Sequence, residues 1–312
     1  MKISILGGGS WGTALAVHLA SKHHDIKVWE FFEEQAREMQ NKRICKFLPG
    51  MRLSDNITVT SDMKEALIDS EMILIVVPSD KVETTIENAK PFISQQSVVI
   101  CSKGFASDLK LLSDVVKEKV SGEVYCLYGP THAEEVCKGM FSGIVLAGKD
   151  QELKKVFEDN NLVVDYTTDI IGVQVAAALK NILAVFIGVL DGAKLGDNAK
   201  AYVITRGLEE IKKVSLAFGA KKETVYGLAG IGDVFVTSTS QHSRNRFVGQ
   251  EVGKGRDLKT VIDEMKMIAE GVTTVKEAIK LKEKFNLELP LITGLYEILF
   301  NGKDVKEVLS LM

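Results

Sequence analysis

Gly7-Gly8-Gly9-Ser10-Trp11-Gly12 follows a short apolar run, Lys2 to Leu6, and leads into a small-residue stretch from Thr13 to Ala20. Read as G-x-G-x-x-G between a strand and a helix, this spacing suits the diphosphate of a dinucleotide. Gly7 permits the tight turn, Gly9 lets the backbone approach the pyrophosphate, and Gly12 lets the helix pack closely on the strand. The N–H groups at the helix start then face the diphosphate. Glu30 stands where an acid about twenty residues on accepts hydrogen bonds from the adenosine ribose hydroxyls. An acid there repels a 2′-phosphate, which favours NAD(H) over NADP(H). The competing reading is a solvated glutamate ahead of Glu33 and Glu34.

Two lysines stand out. Lys103 lies between Ser102 and Gly104, where it is either a surface lysine or a positive charge for a phosphate or carbonyl oxygen. Lys180 interrupts Val175-Ala176-Ala177-Ala178-Leu179-Lys180-Asn181-Ile182-Leu183, a stretch apolar nearly all round. A lysine in such a helix is paired, snorkelling or functional. Desolvation lowers a lysine pKa and makes it suited to moving a proton near neutral pH. Asp233, after Gly230-Ile231-Gly232, either caps a following turn or holds the ammonium of Lys180. The run Ser240-Gln241-His242-Ser243-Arg244-Asn245-Arg246 opens a helix and reads as an anion site. Ser243 is the expected cap and Arg244 the bidentate phosphate ligand, while Arg246 points elsewhere and reads as solvated. The histidines and cysteines lack metal-ligand spacing, so no metal is expected. Met265 and Met267 read as core residues.

These residues need a scaffold. Runs rich in β-formers fall at 2–7, 26–30, 57–60, 72–77, 97–101, 124–128, 143–147 and 162–166, separated by helical stretches. Continuous apolar runs such as Met72 to Val77 suit a parallel sheet covered on both faces. The alternation predicts an α/β fold, a doubly wound Rossmann-type sheet. After about residue 170, helical periodicity takes over, with helices expected at 170–190, 197–218, 243–253, 258–265, 272–285 and 291–301. The expected division is 1–170, a dinucleotide-binding domain, and 171–312, an all-helical substrate-binding and catalytic domain. Ligands of open α/β sheets bind at the carboxyl ends of the strands. Gly7–Gly12, Glu30-Phe31, Pro78-Ser79, Ser102–Gly104 and Gly129–Thr131 all follow strands, so they share one rim.

The bulk numbers narrow the partners. A net charge of −3 over 312 residues argues against nucleic acid. The longest apolar stretch, Val173 to Leu190, is broken by Gln174, Lys180 and Asn181, which argues against membrane insertion. The N-terminus reads as a core strand, and Cys45, Cys101, Cys126 and Cys137 read as reduced thiols, so a cytoplasmic location is expected.

Taken in order, Gly7 to Ala14, Ser102-Lys103-Gly104, Gly129-Pro130-Thr131-His132-Ala133-Glu134-Glu135, Ala178 to Asn181, Gly196 to Lys200, Ala229 to Asp233 and Ser243 to Arg246 make a specific set. Over its whole length the chain resembles the bacterial-type NAD(P)-dependent sn-glycerol-3-phosphate dehydrogenases. The resemblance implies reversible reduction of dihydroxyacetone phosphate to sn-glycerol 3-phosphate, feeding glycerophospholipid synthesis. It implies Lys180 as proton donor and acceptor, and Lys103 in contact with cofactor and substrate. It puts Gly129, Thr131, Asp233, Ser243, Arg244 and Asn245 at the substrate, and Ser10, Trp11, Ala133, Arg244 and Glu270 at the cofactor. Many members carry arginine where this chain has Phe31, after a small residue where it has Glu30. The change tilts the expectation to NAD(H), with NADP(H) use left open because Arg37, Lys42 and Arg43 lie nearby in sequence. Ser238 stands where the family often carries cysteine, which no step requires. A hydroxyacid or ketopantoate-type dehydrogenase and a non-catalytic dinucleotide sensor are the competing readings. The helical second half could support a homodimer.

Overall fold

The apolar runs of the first half become strands β1 (Lys2–Leu6), β2 (Asp25–Trp29), β3 (Ile57–Thr60), β4 (Met72–Ile75), β5 (Ser97–Ile100), β6 (Val124–Tyr128), β7 (Ser142–Ala147) and β8 (Leu162–Thr167). The computed structural model describes residues 1–240, 243–265 and 270–312. The strands form one sheet in the order β3-β2-β1-β4-β5-β6-β7-β8. Chain direction across the sheet therefore reverses between β1 and β4, the switch point at which doubly wound sheets bind ligands. All four residues of β4 are fully buried, as a strand covered on both faces requires.

One pairing departs from the expected parallel sheet. β7 runs antiparallel to β6, with Leu127 opposite Leu146. The connection after β6 holds only the single-turn helix Ala133–Val136. It does not return the chain along the sheet, so β7 starts from the end where β6 stopped.

Helices α1 (Ser10–Ser21), α2 (Glu33–Lys42), α3 (Met63–Leu67), α4 (Val82–Ala89), α5 (Leu112–Lys117), α6 (Ala133–Val136) and α7 (Lys154–Phe157) cover the sheet. Contacts divide the chain into two compact units, Met1–Ile170 and Ile171–Met312. The second is helical: α8 (Ile170–Gly192), α9 (Gly196–Ala217), α10 (Asp233–Thr239), α11 (Arg244–Gly253), α12 (Leu258–Glu264), α13 (Glu270–Phe285), α14 (Pro290–Asn301) and α15 (Val305–Ser310). α8 is long and apolar enough to cross a membrane, but 89% of its apolar window is buried, so it is the core helix of this unit.

α10 and α15 were not legible as helices. Both are short, and α10 is rich in β-branched residues (Val234, Val236, Thr237, Thr239), which lowers its helical propensity. Met265 packs on Val248, Val261 and Val272 as a core residue. Met267, Gln241 and His242 lie outside the described residues. All four cysteines are buried free thiols, and burial pushes Cys126 up to about 12.

Candidate active site

In the first unit, the glycine loop leaves β1 at Gly7, whose φ of +125° few side chains adopt. A Cβ on Gly7 would also lie 2.9 Å from the Val76 carbonyl carbon, just beyond β4. A Cβ on Gly12 would lie 1.9 Å from Gly7 O, so α1 packs on the loop only with glycine there. Gly9 differs: nothing lies within 4 Å of a Cβ built on it. Gly9 precedes α1, and no side chain caps that helix. The first-turn N–H groups of Ser10, Trp11 and Gly12 therefore have no side-chain cap and open space beside them, which fits a diphosphate.

Glu30, directly after β2, is 6% exposed, so it is not a solvated glutamate. Its Oε1 accepts the Phe32 N–H at 3.1 Å. Burial raises its pKa above the ordinary 4.5, against the opposing pull of the Phe32 and Gly8 N–H groups. A Cβ on Gly8 would lie 2.6 Å from Glu30 Oε2, which explains a glycine to which sequence reasoning gave no role. Phe31 is 69% exposed and stands edge-on to Trp29 and Phe32, at 6.0 and 5.1 Å between ring centroids.

Lys103 is half-buried beyond β5, and its Nζ donates to Gly129 O at 3.2 Å. The Thr131 N–H donates to the same carbonyl at 2.9 Å. Lys103, Gly129 and Thr131, from neighbouring strand ends, thus converge on one oxygen. The Tyr128 hydroxyl, fully buried, donates to Ser102 O at 2.7 Å, and Ser102 Oγ donates to Val77 O at 2.5 Å. These two bonds fix the backbone that carries Lys103. Ala133, buried, opens α6.

In the second unit, Lys180 lies in the middle of α8, buried. Its Nζ donates to Asp233 Oδ1 and, at 2.8 Å, to Thr237 Oγ1. Asp233 and Thr237 are one turn apart on α10 and both buried. Asp233 is no cap, because Gly232 holds the N-cap position of α10. Thr237 was missed, although its place four residues after Asp233 was readable. Beside Lys180, Asn181 Nδ2 donates to Glu270 Oε2 at 3.4 Å, and the Gly271 N–H donates to Asn245 Oδ1 at 2.9 Å. Ser243 caps α11 by accepting the Arg246 N–H at 3.3 Å, and Arg244, the first residue of that helix, is exposed. Arg246 is not solvated as expected: it is half-buried, and its Nη2 and Nε both donate to Asp191 Oδ2, at 2.6 and 2.8 Å. The helical period predicted its direction but not the acid at the end of α8 that meets it. Among the described residues no three His, Cys, Asp or Glu side chains gather as a metal site.

A family model described as NAD-dependent glycerol-3-phosphate dehydrogenase N-terminus matches residues 2–154, and the model of that family's C-terminus matches 169–310. The chain is 41% identical over 327 residues to a glycerol-3-phosphate dehydrogenase (NAD(P)+) of Chlorobium limicola, covering 100% of this chain and 97% of that one. The crystal structure of glycerol-3-phosphate dehydrogenase from Coxiella burnetii is 34% identical, with a TM-score of 0.94 over 99% of this chain and 97% of that one. The chain belongs to the NAD-dependent glycerol-3-phosphate dehydrogenase family. As a member it is an NAD(P)-dependent oxidoreductase. A glycerol-3-phosphate dehydrogenase from Saccharomyces cerevisiae, 25% identical, shares the fold at a TM-score of 0.89 over 99% of this chain and 98% of that one. Ser238 is buried, and its Oγ has no hydrogen-bond partner among the described residues.

Proposed function

We propose that this protein interconverts dihydroxyacetone phosphate and sn-glycerol 3-phosphate in the cytoplasm, with NAD(H) preferred over NADP(H), to supply glycerophospholipid synthesis. The observation that carries the reading is the buried ammonium of Lys180, held by Asp233 and Thr237. A bare aliphatic environment would disfavour the charge, and a neighbouring carboxylate restores it.

When bound, the reduced nicotinamide supplies the hydride. The glycine loop and the uncapped start of α1 hold the diphosphate, and Glu30 reads the adenosine ribose. Lys103, hydrogen-bonded to Gly129 O, presents its positive charge at the strand-end rim of the first unit. In the second unit, Lys180 stabilises the negative charge that develops on the substrate carbonyl oxygen. Its Nζ then gives that oxygen a proton, and solvent reprotonates the amine beside Asp233. In the reverse direction the neutral amine accepts the hydroxyl proton. Arg244, with Asn245 and the capped N-terminus of α11, binds the substrate phosphate. That remote binding energy holds the carbonyl in place for reaction.

The test is oxidation of NADH, then NADPH, followed at 340 nm with dihydroxyacetone phosphate as the only acceptor. Fast turnover with NADH and weak turnover with NADPH is the expected result. Equal rates would discard the cofactor preference alone. Turnover of ketopantoate or 3-hydroxyisobutyrate in place of dihydroxyacetone phosphate would overturn the substrate.

A further inference from the structure

α8 and α11 meet backbone to backbone. A Cβ on Gly188 would lie 2.1 Å from Arg246 O, and one on Gly192 would lie 2.2 Å from Gln250 O. From the other helix, a Cβ on Gly249 would lie 1.9 Å from Val185 O, and one on Gly253 would lie 2.2 Å from Val189 O. Two stripes of glycine at four-residue spacing therefore face each other. Such a contact sets the distance between the helices, but the glycines themselves contribute no side chain that fixes rotation or register.

Across the α8–α11 contact an ionic cluster adds that constraint. Asp191, near the end of α8, has both oxygens engaged. Oδ2 accepts from Arg246 Nε at 2.8 Å and pairs with its Nη2 at 2.6 Å, and Oδ1 pairs with Lys200 of α9 at 2.5 Å. Burial pushes the Asp191 carboxyl up, but the Lys200 and Arg246 hydrogen bonds outweigh it and hold it below its ordinary value. Arg246 belongs to the same first turn as Arg244 and Asn245. Asp191 and Lys180 are eleven residues apart on α8, about three turns, and so share one face of that helix.

We propose that Asp191 is a positioning residue for the substrate phosphate: by fixing Arg246 it sets the rotation of the first turn of α11, on which Arg244 and Asn245 stand. The proposal rests on the reading that Arg244 binds phosphate.

The experiment compares the full-length protein with Asp191→Asn and Asp191→Glu. The readouts are kcat, KM for dihydroxyacetone phosphate, KM for NADH and, by calorimetry, Kd for inorganic phosphate. In Asp191→Asn, KM for dihydroxyacetone phosphate and Kd for phosphate rise about tenfold, the worth of one charge-assisted hydrogen bond. The values of kcat and of KM for NADH stay close to wild type, and Asp191→Glu restores part of the phosphate affinity. Unchanged phosphate affinity overturns the proposal. So does a parallel loss of kcat, NADH affinity and phosphate affinity, which marks a general packing role. If Asp191→Asn does not fold, Arg246→Gln, which keeps the Asp191–Lys200 pair, is measured against the same outcomes. A wild type that binds phosphate yet does not reduce dihydroxyacetone phosphate would remove the proposed reaction, and the calorimetric comparison would still decide the role of Asp191.

Discussion

Lys180 Nζ donates to Asp233 Oδ1 across 53 residues of chain, and both side chains are buried within the second unit. A pair of this kind is sensitive to the loss of one member. Lys180→Met is expected to lower kcat by about 10²–10⁴, the usual worth of a positioned acid–base group. NADH affinity stays largely intact, because the glycine loop lies in the first unit. Asp233→Asn leaves a buried ammonium without its carboxylate, which costs about 3–5 kcal/mol of stability. The double variant, lacking both charges, recovers part of that loss. Urea melts of the three variants check the order, and a double variant no more stable than Asp233→Asn would refute the pairing argument.

Thr237 gives the Lys180 ammonium a second acceptor at 2.8 Å. Thr237→Val keeps the shape of the side chain and removes the hydroxyl. The expected loss is about 1.5–3 kcal/mol in kcat/KM, as for a hydrogen bond to a charged group, carried mainly by kcat. Steady-state kinetics separate the two terms. An effect confined to KM would assign Thr237 to ground-state binding.

The positions that sequence reasoning brought to light share a property: each violates its local pattern. Lys180 is a charge in an apolar helix, Gly7–Gly12 is a glycine cluster between strand and helix, and Lys103 is a cation at a strand end. Alternation of apolar runs and helical periods likewise made the eight strands and most of the longer helices legible. Thr237, Asp191 and the separate role of Gly8 within its cluster stayed hidden because nothing in the sequence marks what faces them. Their roles come from what the fold brings opposite them: an ammonium, a guanidinium and a carboxylate. Arg246 was misread for the same reason, since its partner lies 55 residues away. The antiparallel β7 was hidden because strand direction depends on the path of the connection, not on the composition of the strand.

If Glu30 sets the cofactor preference as proposed, that preference depends on pH. Burial raises its pKa above 4.5, so it becomes neutral at a higher pH than an exposed glutamate. For stability, a carboxyl with a raised folded-state pKa favours the fold when protonated, and that contribution is lost as pH rises through the folded pKa. For binding, neutral Glu30 no longer repels a 2′-phosphate. KM for NADPH relative to NADH should therefore fall as pH drops from neutral toward the raised pKa. In Glu30→Gln the ratio keeps only the slope due to titration of the 2′-phosphate itself. Parallel slopes in the two proteins would show that another residue sets the preference.

Arg244→Ala tests the phosphate site directly. Arg244 is exposed at the start of α11, so its loss leaves no buried group unpaired. KM for dihydroxyacetone phosphate should rise by about 2–3 kcal/mol, the loss of a charged bidentate contact, with melting temperature unchanged. An unaltered KM would move the phosphate elsewhere.

Ser238 makes a prediction about stability alone. Its hydroxyl is buried without a hydrogen-bond partner among the described residues, and an unsatisfied buried hydroxyl costs about 1–3 kcal/mol. Ser238→Cys keeps the shape and replaces the hydroxyl with a thiol that behaves as a small apolar group. The variant should be more stable by about 1 kcal/mol, with kcat and both KM values unchanged, because none of the proposed steps involves position 238. Ser238→Ala removes the same unsatisfied oxygen but leaves a void, so its gain should be smaller. Denaturant unfolding of the three proteins gives the order. A wild type more stable than both variants would mean that the hydroxyl has a partner, such as an ordered water, and that the serine is there to hold it.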